Sequence, residues 1–245
     1  MESSFLQARG LLRYIGLFLS GVCHQLPDHS LRWAGVQLPL CCRCTGTYLG
    51  GLLVLLNLGW RGRLRAGRLP PLRVLLAVGA LFAAWAVDGL NSYVQFLVGR
   101  PWLYAPLNSV RLLTGLGNGI SLSLLVVPLF NLTFWSEPDS VRSASSLKEL
   151  SGLLLQAVAI TLVLLLRLDV LLYPALAAEA VSVLLMLSIV NAVIVIMLSR
   201  RMNRATSWTE ALAPLTWGLA FALLEVGGLA WVRSWLGPRV PFPPF

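Results

Sequence analysis

The chain has 245 residues, of which 57% are hydrophobic and 12% are charged, and its formal net charge is +9. A soluble domain carries about twice that share of charged residues, so the composition excludes an ordinary soluble protein. The apolar runs are continuous, whereas β-barrel strands alternate apolar and polar residues. The bases cluster between these runs, as topology determinants beside anionic lipid do. We therefore expect an all-α polytopic membrane protein whose partner is the lipid bilayer and not nucleic acid.

Seven apolar segments predict an integral membrane helical bundle with six or seven transmembrane segments, since one span needs about 20 residues. In chain order they are 10–22, 40–60, 73–93, 108–130, 150–167, 174–198 and 211–232. The first is short and contains Arg13, so re-entrant and interfacial placements compete with a span. We interpret it as retained, because no small-x-small cleavage site follows it.

Basic loops predict the orientation of the bundle. They follow the second, fourth and sixth segments and hold Arg61, Arg63, Arg65, Arg68, Arg73, Arg142, Lys148, Arg200, Arg201 and Arg204. The positive-inside rule places these loops in the cytoplasm of a multi-pass cell-membrane protein, together with the N-terminus. The cysteine-rich stretch then lies at the outer membrane face.

All four cysteines and both histidines lie within residues 23–50. Cys41 and Cys44 follow Pro39 at a predicted helix start, where they share one face and the helix dipole favours thiolate. Cys23 and His24, at the outer end of the first segment, complete a Cys₃His set. Such a set suits zinc, copper or iron.

Four hypotheses for this stretch remain open. The first is a metal site formed by Cys23, His24, Cys41 and Cys44, although adjacent residues seldom both bind one ion. The second is a thiol–disulfide or quinone-linked oxidoreductase with Cys41 and Cys44 as catalytic residues. The third is a structural disulfide from Cys23 to Cys41 or Cys44. The fourth is a small-solute or ion transporter in which the sulfurs only pack. No Walker, Rossmann, H-E-x-x-H or G-x-S-x-G pattern is present, and the sequence leaves open whether the protein is an enzyme.

Three carboxylates, Asp88, Glu179 and Glu225, fall in the outer halves of predicted spans, where ionisable groups usually face a cavity or one another. We expect Asp88 and Arg111 to lie near each other and near the cysteines, lining an outward-facing polar cavity. Glu225 is expected to belong to a pocket, and Glu179 to cap a helix or meet an interfacial arginine. The residues expected around the cysteines are Gln25, Arg43, Asp88, Asn108 and Arg111.

The remaining motifs concern packing and domain organisation. Gly46-x-x-x-Gly50 and Gly115-x-x-x-Gly119 predict a close approach of the second and fourth segments. Cys42 projects away from the face of the other cysteines and is expected to be packed or lipid-facing, and His29 is expected to be solvated. Residues 1–125 are interpreted as a motif-bearing membrane domain. Residues 126–245 are interpreted as additional transmembrane helices without a recognised motif.

The motifs resemble an uncharacterised family of bacterial and archaeal membrane proteins. The resemblance rests on C-H-Q-x-P-x-x-S from Cys23, on P-x-C-x-R-C-T-G-x-Y-x-G from Pro39, on Asp88-Gly89 and on the series Asn108, Arg111, Thr114 and Gly115. His29 stands where an arginine is common, and Cys42 adds a cysteine. The resemblance covers about residues 10–125 and implies a membrane protein with a shared site, but no particular reaction.

Overall fold

The protein is described by a computed structural model that covers residues 10–33 and 36–236. Seven α-helices dominate these residues: α1 Leu11–Leu19, α2 Cys42–Trp60, α3 Leu72–Val98, α4 Asn108–Phe134, α5 Leu147–Leu165, α6 Leu172–Leu198 and α7 Trp208–Leu236. Strands β1 Ser30–Trp33 and β2 Val36–Cys41 pair antiparallel, and β3 Ala66–Arg68 pairs parallel with β4 Asp139–Arg142. Short 3₁₀ turns cover Pro27–His29 and Asp169–Leu171. The predicted all-α class is confirmed, with two small two-stranded sheets added.

Five helices of the described chain are long and apolar enough to cross a membrane, namely α3, α4, α5, α6 with its preceding 3₁₀ turn, and α7. The predicted number of six or seven spans is close to this. Helix α2 has 19 residues and is about 28 Å long, but its first two turns contain Arg43 and two threonines. Helix α1 has 9 residues and covers about 14 Å, which is too short for a span.

The described loops gather at two ends of the helical bundle. At one end, which we call the cysteine end, Asn108 at the start of α4 donates to the Asp28 carbonyl, and Arg233 near the end of α7 donates to the Cys23 carbonyl. At the opposite end, which we call the arginine end, Asn131 donates to the Leu64 and Ala66 carbonyls. The loops 61–71, 135–146 and 199–207 lie at the arginine end.

Helix α4 lies at the centre of the bundle and packs closely against α2. Both predicted glycine pairs lie in this contact. A Cβ atom on Gly46 would overlap the Leu112 carbonyl oxygen, and one on Gly119 would overlap the Thr47 carbonyl oxygen. The predicted approach of the second and fourth segments is therefore confirmed, and it rests on direct backbone contact.

The outer helices present apolar side chains to the surroundings. Large exposed side chains such as Leu76, Leu155, Leu224 and Trp231 lie on α3, α5 and α7. Burying such a surface in lipid removes the cost of exposing it to water, so these faces suit a bilayer.

We expect Gly119→Ala to lower the free energy of unfolding by about 1–3 kcal/mol, because the added methyl group forces α2 and α4 apart. The matched control is Gly79→Ala, where nothing lies within 4 Å of the added Cβ. The measurement is the unfolding curve of each variant purified in the same detergent. Equal stability of the two variants would contradict the proposed contact.

Candidate metal centre

The site is built where the chain turns from α1 into the β1–β2 hairpin and then into α2. Cys23 lies four residues after the end of α1, and Cys41 ends β2 and is the N-cap of α2. The sequence suggested that Pro39 lies in the first turn of the helix. In the structure Pro39 lies inside β2, and α2 begins at Cys42. The sulfur of Cys41 accepts the Cys44 backbone N–H at 3.5 Å, as N-cap side chains do.

The thiols of Cys23, Cys41 and Cys44 form what we call the cysteine cluster. One ligand atom each from Cys23, His24 and Cys41 lie within 4.8 Å of one another. The Cys44 thiol is not part of this 4.8 Å group, but it is close enough to interact with the sulfurs of both Cys23 and Cys41. Cys23 and Cys41 are buried, Cys44 is half-buried, and all three are free thiols. The structure thus brings together three of the four side chains that the sequence suggested as ligands, Cys23, His24 and Cys41, with Cys44 beside them.

Backbone N–H groups point at the sulfurs of the cluster. The Cys23 sulfur accepts the N–H groups of Cys41 at 3.1 Å and Gln25 at 3.5 Å. Hydrogen bonds donated by the Cys23 and Cys44 thiols hold the pKa of Cys41 well below its usual value, and the same bond to Cys41 raises the pKa of Cys23. Proton sharing among the sulfurs therefore favours one thiolate, centred on Cys41.

The ring of His24 is fixed by the backbone. Its Nδ1 accepts the Leu26 N–H at 3.0 Å, so the proton of the neutral ring is on Nε2. The ring hydrogen-bonds to the Cys41 thiol and lowers its pKa. In this conformation His24 is a donor to sulfur. Metal binding through Nε2 would move the ring proton to Nδ1, which could then no longer accept the Leu26 N–H.

His29 packs edge-on against the ring of His24, with ring centroids 5.4 Å apart. It is half-buried, so the expectation of a solvated side chain was wrong. Burial, together with the nearby Arg111 cation, lowers the pKa of His29 to about 4. His29 is therefore neutral at pH 7 and adds no charge to the site.

Gln25 ties the site together. Its side chain donates to the Gly16 carbonyl at 2.7 Å and to the Pro39 carbonyl at 2.8 Å, and its own carbonyl accepts from the Gln37 side chain at 2.8 Å. Its φ of 56° lies in the left-handed region, which non-glycine residues rarely adopt. Such strain persists only where the surroundings fix the backbone, and here it directs the Gln25 N–H at the Cys23 sulfur.

Arg233 near the C-terminal end of α7 holds the turn that carries Cys23 and His24. Its guanidinium donates to the carbonyl oxygens of Ser20 at 3.0 Å and His24 at 2.8 Å, and also to that of Cys23. The sequence did not identify this residue, because more than 200 positions separate it from its partners. The last helix therefore contributes directly to the position of the site.

Arg43 and Asp88 form a buried ion pair beside the cluster. The Asp88 Oδ2 accepts from Arg43 Nε at 3.0 Å and from Nη2, and Oδ1 accepts from the Tyr104 hydroxyl at 2.7 Å. Arg43 also donates to the Ser92 hydroxyl at 3.0 Å. The ion-pair partner of Asp88 is therefore Arg43 and not Arg111, the arginine that the sequence placed near it. Asp88 has no exposed surface, so it does not line an open cavity.

Arg111 instead donates to the Asn108 side-chain oxygen at 2.8 Å, and Asn108 donates to the Asp28 carbonyl at 3.0 Å. Arg111 lies within electrostatic range of Asp88, Arg43 and Cys41. The expected proximity of Arg111 to Asp88 and to the cysteines is therefore met, without a direct ion pair.

The other membrane carboxylates have partners on neighbouring helices. Glu179 is fully buried and accepts from the Thr45 hydroxyl at 2.6 Å. The expectation that it caps a helix or meets an interfacial arginine was therefore wrong. Glu225 is exposed on α7 and accepts from the Asn191 side chain at 2.9 Å. Cys42 is fully buried in the main apolar core, which agrees with a packing role.

Comparisons with known proteins support the resemblance suggested by the motifs. Residues 23–125 match a family described as "Predicted membrane protein (DUF2085)", and the predicted resemblance is confirmed for this part of the chain. An "Uncharacterized protein" of Methanothermobacter thermautotrophicus is 29% identical over 111 residues, which are 45% of this chain and 89% of that protein. No solved structure matches the chain. The matched region holds the cysteine cluster, the Arg43–Asp88 pair and Arg111.

A double-mutant cycle tests the ion pair. We expect Asp88→Asn and Arg43→Gln each to destabilise the protein by about 3–5 kcal/mol, because each leaves a buried charge without its partner. The double variant should lose much less than the sum of the two. The measurement is the denaturant-induced unfolding of the purified proteins.

The control cycle combines Asp88→Asn with Arg111→Gln, which share no hydrogen bond. Because Arg111 lies within electrostatic range of Asp88 but shares no hydrogen bond with it, the coupling in this cycle should be clearly smaller than in the Arg43 cycle. Additivity in the Arg43 cycle together with strong coupling in the Arg111 cycle would show that the pairing is assigned to the wrong arginine.

Proposed function

We propose that this multi-pass membrane protein binds one thiophilic metal ion through the thiolates of Cys23, Cys41 and Cys44, with His24 beside them. The observation that carries the proposal is the convergence of the Cys23 and Cys41 sulfurs and the His24 ring within 4.8 Å, at a point where backbone N–H groups donate to the sulfurs. Cys44 lies beside this group. Soft thiolate ligands select zinc, copper(I) or iron. A function in holding, sensing or passing on such an ion follows from this chemistry.

The donor set supports the proposal in two ways. Three backbone N–H groups, from Gln25, Cys41 and Cys44, donate to the sulfurs of Cys23 and Cys41. Such bonds stabilise thiolates and tune metal–thiolate centres. The cluster also packs among apolar side chains, including Leu19, Leu40 and Val226. A dry, apolar surrounding favours neutralisation of thiolate charge by a cation.

His24 has a defined place in this proposal. Three thiolates suit a three-coordinate soft ion without a fourth protein ligand. A four-coordinate ion such as zinc uses His24 as its fourth ligand after the ring releases Leu26, or takes an external ligand there. Adjacent ligands in one chain strain the geometry of the ion, and the Leu26 contact adds to this strain. We therefore assign the thiolates as ligands and His24 as the exchangeable position.

We also propose that the cysteine end faces outward from the cell membrane, since the arginine end carries the basic loops that the positive-inside rule retains in the cytoplasm. Helix α1 covers only about 14 Å, so the orientation rests on these loops.

A second candidate function is thiol–disulfide exchange through Cys41 and Cys44. The observation that favours it is the position of Cys41 at the N-cap of α2, where hydrogen bonds lower its pKa. Oxidation of the pair forms one S–S bond and releases two protons and two electrons, which a membrane quinone accepts as it becomes quinol. The metal hypothesis and this one predict different thiol and metal contents.

The test of function is metal analysis of the full chain purified in detergent without added chelator. We expect about one zinc, copper or iron ion per chain, and we expect Cys23→Ser, Cys41→Ser and Cys44→Ser each to lower that content strongly. Cys42→Ser is the matched control, because Cys42 lies next to the site in sequence but in the apolar core. It should keep the ion.

Thiol counts before and after reduction complete the experiment. A protein without metal that gains two thiols on reduction would contradict the metal hypothesis in favour of a disulfide. Its reduction potential then separates exchange from a structural role, because structural disulfides lie below about −300 mV. Equal metal content in all four variants would place the ion elsewhere.

Orientation is tested with cysteines introduced at exposed arginines of the two ends. Arg100→Cys at the cysteine end should react with a membrane-impermeant maleimide on intact cells. Arg200→Cys at the arginine end should react only after the membrane is opened. Both residues are exposed, so lack of reaction reflects the membrane and not burial. The reverse pattern would mean that the cysteine end faces the cytoplasm.

A further inference from the structure

Arg111 in the first turn of α4 is a buried cation that forms no ion pair with a described residue. Only 6% of its surface is exposed. Among the described residues its guanidinium has one hydrogen-bond partner, the Asn108 side-chain oxygen, which Nη1 reaches at 2.8 Å. Its Nε is buried and donates to no described atom. Buried charges in proteins are normally paired, so an unpaired one points to a missing partner.

The neighbouring charges increase the imbalance. Asp88 is fully engaged by Arg43 and Tyr104. None of the ion pairs within the described residues involves Arg111. Arg43 is close enough to act on Arg111 as a like charge. Arg43, Asp88 and Arg111 together therefore carry one net positive charge beneath the surface of the cysteine end. A Cys41 thiolate lies within electrostatic range and offsets part of this charge, but no hydrogen bond joins it to Arg111.

The start of α4 adds to this positive charge. The bond from Nη1 to Asn108, three residues earlier, shows that the guanidinium folds back over the first turn. The N-cap residue, Leu107, has no side chain that caps the free N–H groups of that turn. The helix has 27 residues, so its dipole places partial positive charge at the same point.

We propose that Arg111 and the N-terminus of α4 bind a phosphate group. The Nε and Nη2 edge of the guanidinium is not used by Asn108, and this edge matches two phosphate oxygens in a bidentate arrangement. The site lies at the cysteine end of the bundle, and both a lipid phosphate and a free phosphate ion have the chemistry that it would bind. It is distinct from the cysteine cluster and does not depend on metal binding there.

The first arm of the test uses inorganic phosphate. The full chain in a neutral detergent is titrated with phosphate by calorimetry and by thermal unfolding, with chloride used to match the ionic strength. We expect saturable binding and a rise in unfolding temperature. Arg111→Gln should weaken binding by about tenfold or more, whereas Arg100→Gln, at an exposed arginine of the same end, should bind as the unmodified protein does.

A second variant keeps the test decisive if Arg111→Gln folds poorly. Asn108→Asp supplies a permanent carboxylate to Nη1 of Arg111, at the loss of one bond to the Asp28 carbonyl. It should raise the unfolding temperature without phosphate and abolish the further rise with phosphate. If Asn108→Asp still responds to phosphate like the unmodified protein, the proposal fails.

The second arm distinguishes a lipid source from a free ion. The protein is placed in nanodiscs of phosphatidylglycerol with phosphatidylcholine, and retained lipid is counted by native mass spectrometry. A tightly held phosphatidylglycerol that is lost in Arg111→Gln but kept in Arg100→Gln identifies a lipid headgroup as the ligand. Phosphate binding without such retained lipid identifies the free ion. If neither probe separates Arg111→Gln from the Arg100→Gln control, the proposal is overturned.

Discussion

The close packing of α2 on α4 is the constraint on which the rest of the structure depends. Glycines on both helices allow backbone contact, so the two helix axes lie nearer than larger side chains would permit. This contact sets the N-termini of both helices side by side at the cysteine end. Cys41, Arg43 and Arg111 are consequently brought within electrostatic range of one another. The chemistry of the site follows from this packing.

Partnering of buried polar groups explains most of the remaining arrangement. Asp88 on α3 is held by Arg43, and Glu179 on α6 is held by Thr45, so α2 links both helices through side chains in its first turn. In a bilayer these bonds avoid the cost of exposing a carboxylate to hydrocarbon. Among the described ionisable groups, the second carboxylate oxygen of Glu179 and the Nε atoms of Arg65 and Arg111 are buried without a hydrogen bond. At Arg111, an external anion is the simplest way to complete the same pattern.

The C-terminal helices contribute to the site although they lie outside the family match. Arg233 on α7 holds the carbonyls of the Cys23 turn, and Val183 on α6 and Val226 on α7 pack around the cluster. The division into a motif-bearing part and additional helices remains a prediction. In the structure, the second part closes the apolar side of the cysteine cluster.

The sequence predicted what local spacing and composition determine. Continuous apolar runs predicted the helices, the glycine pairs predicted the α2–α4 contact, and the shared membrane face of Cys23 and Cys41 predicted their convergence. It failed where several partners were available at similar depth. Asp88 had two arginines within reach, and only three-dimensional packing decides for Arg43. The β1–β2 hairpin was missed because its strands are short and contain Pro39, and Arg233 because its partners are distant in the chain.

The measurement that tests the central claim most directly is X-ray absorption at the metal edge of the purified full chain. The account predicts a shell of three sulfur atoms at about 2.3 Å if the ion is zinc, and loss of one sulfur from that shell in any of the three cluster serine variants that still retains metal. A shell made only of nitrogen and oxygen atoms, or one unchanged when Cys23 is replaced by serine, would contradict it.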